Sequence, residues 1–184
     1  MNPLANLLFE ANLLKRVPRS GFHFLGQGHE SVAEHSFMIT FIAYTMTQLE
    51  PQADALKLIS MCLLHDLPEA RTGDLNYVHK KYVTADEDKA LHHMLENIPF
   101  KSDIRELIDE FKQGETVESR LAKDADQLAF ILELKAKIDM GIKGPETWVP
   151  IVISRLTTDT GKKLADAIMQ TRWDDWWQHG YTET

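Results

Sequence analysis

Helix punctuation recurs along this chain and strand punctuation is nearly absent, and no other feature of the sequence narrows the possible folds as far. Ser31 and Glu34 stand in the S-x-x-E spacing, in which a hydroxyl and a carboxylate reciprocally satisfy the free amides of a helix start. That spacing predicts a helix to about Glu50, with His35, Ile39, Ile42 and Met46 on one stripe. Pro51 separates it from a second helix, Ala53 to about Asp66, where Ala55, Leu58, Cys62 and His65 align before Pro68 stops the turn. A leucine-rich segment, Asn6 to Lys15, precedes both. Behind them Thr84 and Glu87 repeat the capping spacing ahead of a helix to about Asn97. Ser102 to Lys112, Thr116 to about Asp139, Trp148 to Leu156 and Leu164 to Trp177 complete the helical reading. Ile151 to Ile153 has the β-branching of a strand, yet no second candidate exists to pair with it. The expectation is an all-α fold of roughly seven or eight helices in a single compact domain spanning residues 1–184, without internal repeats.

Composition removes several function classes. With 43% hydrophobic and 26% charged residues the chain can bury a core, and it is neither disordered nor low in complexity. Its one cysteine, Cys62, cannot form an internal disulfide, which fits a reducing, cytoplasmic setting. Met1 to Arg16 lacks the basic start and small-residue cleavage site of a signal peptide. The most apolar segment, Phe37 to Met46, carries Thr40, Tyr44 and Thr45 and falls short of the ~18 apolar residues of a membrane span. A net charge of -8 repels long nucleic acid, while small anions stay open to a local basic pocket.

The chemistry concentrates on His35 and the pair His65-Asp66. A single imidazole on an apolar stripe is more often a hydrogen-bonded core residue than a ligand. Two such stripes on antiparallel neighbours bring His35 and His65 together, and Asp66 adds an oxygen donor. An N/O set of this kind suits one divalent cation: Mn, Fe, Co, Ni, Zn or Mg. A fourth donor is expected from Lys123-Asp124-Ala125-Asp126, which interrupts an apolar run. Asp124 and Asp126 flank that apolar face at comparable angles, so periodicity does not choose between them.

The order His35, His65-Asp66, distal Asp resembles the HD-domain metal-dependent phosphohydrolases, an all-α superfamily. Longer strings are similar to its 5'-deoxynucleotidase branch: Leu14-Lys15-Arg16-Val17-Pro18-Arg19, Glu30-Ser31-Val32-Ala33-Glu34-His35, His65-Asp66-Leu67-Pro68-Glu69-Ala70 with Gly73-Asp74, and Lys123-Asp124-Ala125-Asp126-Gln127-Leu128. The resemblance implies His35, His65, Asp66 and Asp126 as ligands of one divalent metal, Glu69 as the catalytic carboxylate, Asp74 as a sugar contact and Arg16 as a phosphate contact. Read without it, Glu69 and Asp74 are solvated loop acids and Arg16 caps helix carbonyls. Val17 stands where bacterial members of the branch carry a tryptophan beside the 2'-position, so ribonucleotides are expected to be accepted to a measurable degree.

The implied activity is hydrolysis of deoxynucleoside 5'-monophosphates to deoxynucleoside and phosphate by a homodimer. The alternatives are another HD reaction, on a phosphodiester, pyrophosphate or triphosphate, and a sensor without turnover. His23, His29, His79, His92, His93 and His179 are expected at the surface, Lys80-Lys81 as a solvated pair, and Trp173, Trp176 and Trp177 as a packing or subunit contact.

Overall fold

Three mutually packed helices form the centre of the computed structural model, which describes residues 1–178, and the other helices surround them. In chain order the α-helices are α1 (Asn2–Leu13), α2 (Val32–Leu49), α3 (Ala55–Leu64), α4 (Glu69–Thr72), α5 (Glu87–Met94), α6 (Lys101–Gln113), α7 (Val117–Asp139), α8 (Val149–Ile153), α9 (Asp159–Gln170) and α10 (Asp175–Gln178). The expected all-α architecture holds: seven of these span eight residues or more, and α4, α8 and α10 are short turns.

Local chemistry explains most boundaries. At α2 the Ser31–Glu34 capping box is complete, with the Glu34 amide donating to Ser31 Oγ at 3.2 Å and the Ser31 amide donating to Glu34 Oε2 at 2.7 Å. Asp54 caps α3 and Thr116 caps α7 by accepting amide hydrogen bonds. The cap of α5 is Asp86 and not Thr84, because the Asp86 carboxylate reaches the Lys89 amide at 2.9 Å. The stretch Leu164 to Trp177 divides, since Thr171 is extended and the amides of Arg172 and Trp173 donate to the carboxylates of Asp175 and Asp139 instead of to a helix ladder. Ile151 to Ile153 is helical, with Pro150 in the first turn of α8.

The core lies where α2, α3 and α7 meet. Ile39 and Met46 of α2, Leu58 and Met61 of α3, and Leu121, Leu128, Ile131 and Leu134 of α7 are fully buried there. Each such side chain contributes about 1.5–3 kcal/mol by leaving water. A second apolar cluster, with Leu14, Val32, Leu67, Leu91 and Ile108, ties the N-terminal turns to α5 and α6. Between the clusters, residues 17–19 pair with 30–32: the Arg19 amide donates to Glu30 O at 2.8 Å and the Val32 amide to Val17 O at 2.9 Å. No helix among the described residues is long and apolar enough to cross a membrane.

Candidate functional site

Each central helix delivers one donor to a common point. His35 comes from the first half of α2, His65 caps the C-terminus of α3, and Asp126 comes from α7. One ligand atom from each of the three lies within 4.8 Å of the others, so this group can hold a metal ion. His35 is 1% exposed, and its Nε2 stands 2.8 Å from Asp126 Oδ1. His65 Nδ1 donates to Cys62 O at 3.1 Å, which turns Nε2 toward the group, and the Phe111 ring packs on the imidazole at 4.5 Å.

Asp66 sits beside the three donors, with Oδ1 3.2 Å from His65 Nε2 and Oδ2 3.5 Å from Arg19 Nη1. Its Oδ2 and Glu69 Oε2 are buried without a hydrogen-bond partner. Buried oxygens lacking donors are rare, and two facing one cavity beside a His/Asp cluster fit a cation-binding, proton-handling site.

The electrostatics follow from this crowding. Burial, joined by the carboxylates of Asp66 and Asp74, pushes the Glu69 carboxyl up to about 9. Burial works against a charged His65, but Asp66 and Asp126 outweigh it and raise its pKa to about 9. Burial likewise opposes ionisation of Asp126, yet the His35 hydrogen bond and the nearby cations hold it well below the usual carboxylate range. Arg19 is a permanent cation among these acids; despite its burial, Asp126, Asp66, Asp74 and Glu69 raise its pKa further.

The site opens into a cavity of about 470 Å³, whose lining includes Arg19, His35, His65, Asp66, Glu69, Asp74 and Asp126. Asp74 Oδ2 is fixed by the Ser20 amide at 2.7 Å. Two sequence candidates are placed elsewhere. Arg16 ends a tight 3-10 turn, Leu14–Arg16, and is exposed outside the cavity lining, which contains Arg19 three residues on. Val17 packs against the second apolar cluster and is absent from the lining. The physical reason is the pairing of 17–19 with 30–32, a long-range contact that turns Arg19 toward Glu30 and Asp66.

Of the two aspartates periodicity left open, Asp126 faces the histidines. Asp124 is wholly buried on the other side, where it accepts from the amides and hydroxyls of Thr157 and Thr158. Sequence reasoning missed Arg19, Glu30, Gln127 and the aromatic residues of the cavity. Arg19 and Glu30 do lie inside the strings that carry the family resemblance, which was the available signal. His23, His29, His79, His92 and His93 are exposed as expected, and His179 lies outside the described residues.

An all-α fold with a His/Asp group at the junction of its central helices defines an HD-domain architecture. The family model for the HD domain matches residues 11–169, and the chain belongs to that family. A Xenopus laevis protein named 5'-deoxynucleotidase HDDC2 is 28% identical over 126 residues, covering 65% of this chain and 62% of that protein. The Homo sapiens protein of the same name is 26% identical over 133 residues, covering 69% and 64%. The match thus spans less than two thirds of the length of these curated relatives. Among solved structures, a conserved hypothetical protein from Pyrococcus furiosus superposes with a TM-score of 0.74 at 25% identity, covering 91% of this chain and 99% of that one.

Proposed function

We propose that this chain is a metal-dependent phosphomonoesterase that removes the 5'-phosphate of deoxynucleoside monophosphates. The observation that carries the reading is one cavity holding a His35/His65/Asp126 donor group, the adjoining Asp66, a half-buried Glu69 whose Oε2 lacks a donor, and a half-buried Arg19. The names of the curated relatives support the choice of substrate.

His35, His65, Asp66 and Asp126 are the residues that would hold the cation, and their N/O chemistry suits Mn, Fe, Co, Ni, Zn or Mg. A divalent cation supplies an activated water at neutral pH and polarises phosphoryl oxygens. Arg19 then meets the phosphate with its planar fork and offsets the acids around it. Glu69, whose carboxyl is pushed up by burial in the metal-free protein, would deliver a proton to the leaving 5'-oxygen. Asp74 accepts a hydrogen bond from a sugar hydroxyl. The test is elemental analysis with phosphate release measured across dNMPs, NMPs, dNTPs and cyclic dinucleotides; metal-dependent release from dNMPs is expected, and preference for a triphosphate or diester overturns the assignment.

The same proposal includes a cytoplasmic homodimer. Phe37, Phe41 and Tyr44 are exposed on one face of α2 and no charged residue occurs from His35 to Leu49, which supports burial of that face against a second copy. Light scattering coupled to gel filtration should give twice the chain mass, and a monomer at micromolar concentration removes this part of the reading.

A further inference from the structure

The cavity lining is of two chemical kinds: a metal wall of the His/Asp donors with Arg19, and an aromatic wall of Tyr77, Phe130 and Trp148 together with Ile151 and Val152. These aromatics form one cluster. The Tyr77 and Phe130 rings each stand 6.0 Å from Trp148 and nearly perpendicular to it, at 75° and 78°. Phe24, outside the lining, backs both Trp148 at 6.3 Å and Tyr77 at 5.3 Å. Trp148 is locked by position as well: it leads into α8 and packs against the main core.

Aromatics gathered only for packing are expected to be buried, yet Tyr77 is 54% exposed and Trp148 is only partly covered, and both face the same cavity as the acids and histidines. We propose that Trp148, flanked by Tyr77 and Phe130, is a base-stacking subsite that seats the nucleobase while the phosphate occupies the metal wall. The proposal rests on the nucleotidase reading and adds to it the part of the substrate that the metal wall does not touch. Stacking uses the π-face that every base has, so the subsite distinguishes a nucleotide from a sugar phosphate and does not choose strongly among bases. Binding energy gained there, remote from the reacting bond, holds the 5'-oxygen against the catalytic groups.

The experiment compares kcat/KM for dAMP, dGMP, dCMP, dTMP and 2-deoxyribose 5-phosphate, with the full chain in saturating Mn²⁺. The wild type should prefer every dNMP over the sugar phosphate by about 10-fold or more, with the four bases within about 10-fold of one another. Trp148→Ala should lower kcat/KM for the dNMPs by about 10- to 10²-fold, mainly through KM, and leave 2-deoxyribose 5-phosphate unchanged; Trp148→Phe should restore most of the loss. Equal losses on all five substrates, or no loss in a folded Trp148→Ala protein, overturn the proposal. Should Trp148→Ala fail to fold, the exposed Tyr77→Ala provides the same contrast at smaller size, and no contrast there is equally fatal. A wild type that hydrolyses dNMPs and the sugar phosphate equally removes the stacking subsite and leaves the nucleotidase reading standing. A metal-loaded wild type that hydrolyses neither removes both.

Discussion

Asp124 and Asp126 lie two residues apart on α7 and belong to different regions of the molecule. Asp124 sits at the joint with α9, where two amides and two hydroxyls from Thr157 and Thr158 donate to it at 2.6–3.2 Å. Thr158 in turn caps α9 through the Gly161 amide, and a Cβ on Gly161 would collide with the Asp124 carboxylate, so glycine admits this approach. At the other end of the comparison, Asp126 meets His35 at 2.8 Å and shares the field of Arg19 with Asp66, Asp74 and Glu69. Asp124 is wholly buried, whereas the Asp126 side chain is 27% exposed, so the more deeply buried of the two acids is the structural one. The two also differ in saturation: four donors leave Asp124 nothing to offer, while the metal region leaves Asp66 Oδ2 and Glu69 Oε2 without a hydrogen-bond donor.

The sharpest way to break this comparison is to remove one side chain at a time. Asp126→Ala and His65→Ala should lose bound metal and lower phosphate release by more than the ~10²-fold that loss of an outer-shell partner costs. Elemental analysis beside turnover checks it, and full occupancy in either variant contradicts the donor set. Glu69→Gln should keep the metal while kcat falls about 10²-fold, the usual contribution of a positioned proton donor; near wild-type turnover would return Glu69 to the role of a loop acid.

A smaller effect separates the two arginines. Arg19→Ala should raise KM and lower kcat/KM about 10-fold or more, as expected for loss of a charge-assisted contact of about 1.5–3 kcal/mol. Arg16→Ala should stay within about twofold on the same dNMP panel, since Arg16 is exposed outside the cavity. The reverse ranking would show that the 17–19 pairing rearranges when substrate binds.

Asp124→Ala should barely alter turnover per folded molecule but lower stability by about 1–3 kcal/mol, because the amides and hydroxyls of Thr157 and Thr158 lose the carboxylate that ties them to α7. Denaturant unfolding measures the loss; metal loss without destabilisation would move Asp124 into the site.

The subtlest test concerns Glu69 in metal-free protein. Its folded pKa of about 9 exceeds the ordinary 4.5, so the native state holds a proton that the unfolded chain releases. The associated stability is full below about 4.5 and is lost as pH rises toward about 9. Glu69→Gln, neutral throughout, should therefore become progressively more stable than wild type between pH 5 and pH 8, as read by melting temperature in chelator. A difference independent of pH refutes the placement of that proton.

The helices were legible in the sequence because helix formation is local. The Ser31–Glu34 box, the Pro51 break and the apolar stripes act over one to four residues, and the structure keeps them. Where a boundary moved, as from Thr84 to Asp86 at α5, two caps competed within the same short stretch and the carboxylate reached the free amide. His35 and His65 could be paired from sequence for the same reason: adjacent antiparallel helices with known stripes leave few ways to meet. Periodicity places Asp124 and Asp126 on two flanks of one helix but carries no information about what packs on each flank. Only tertiary structure decided that the Thr157–Thr158 turn covers one and α2 the other. Arg19, the pairing of residues 17–19 with 30–32, and the aromatic wall from residues 77, 130 and 148 arise from contacts between distant parts of the chain, whose chemistry no local window contains.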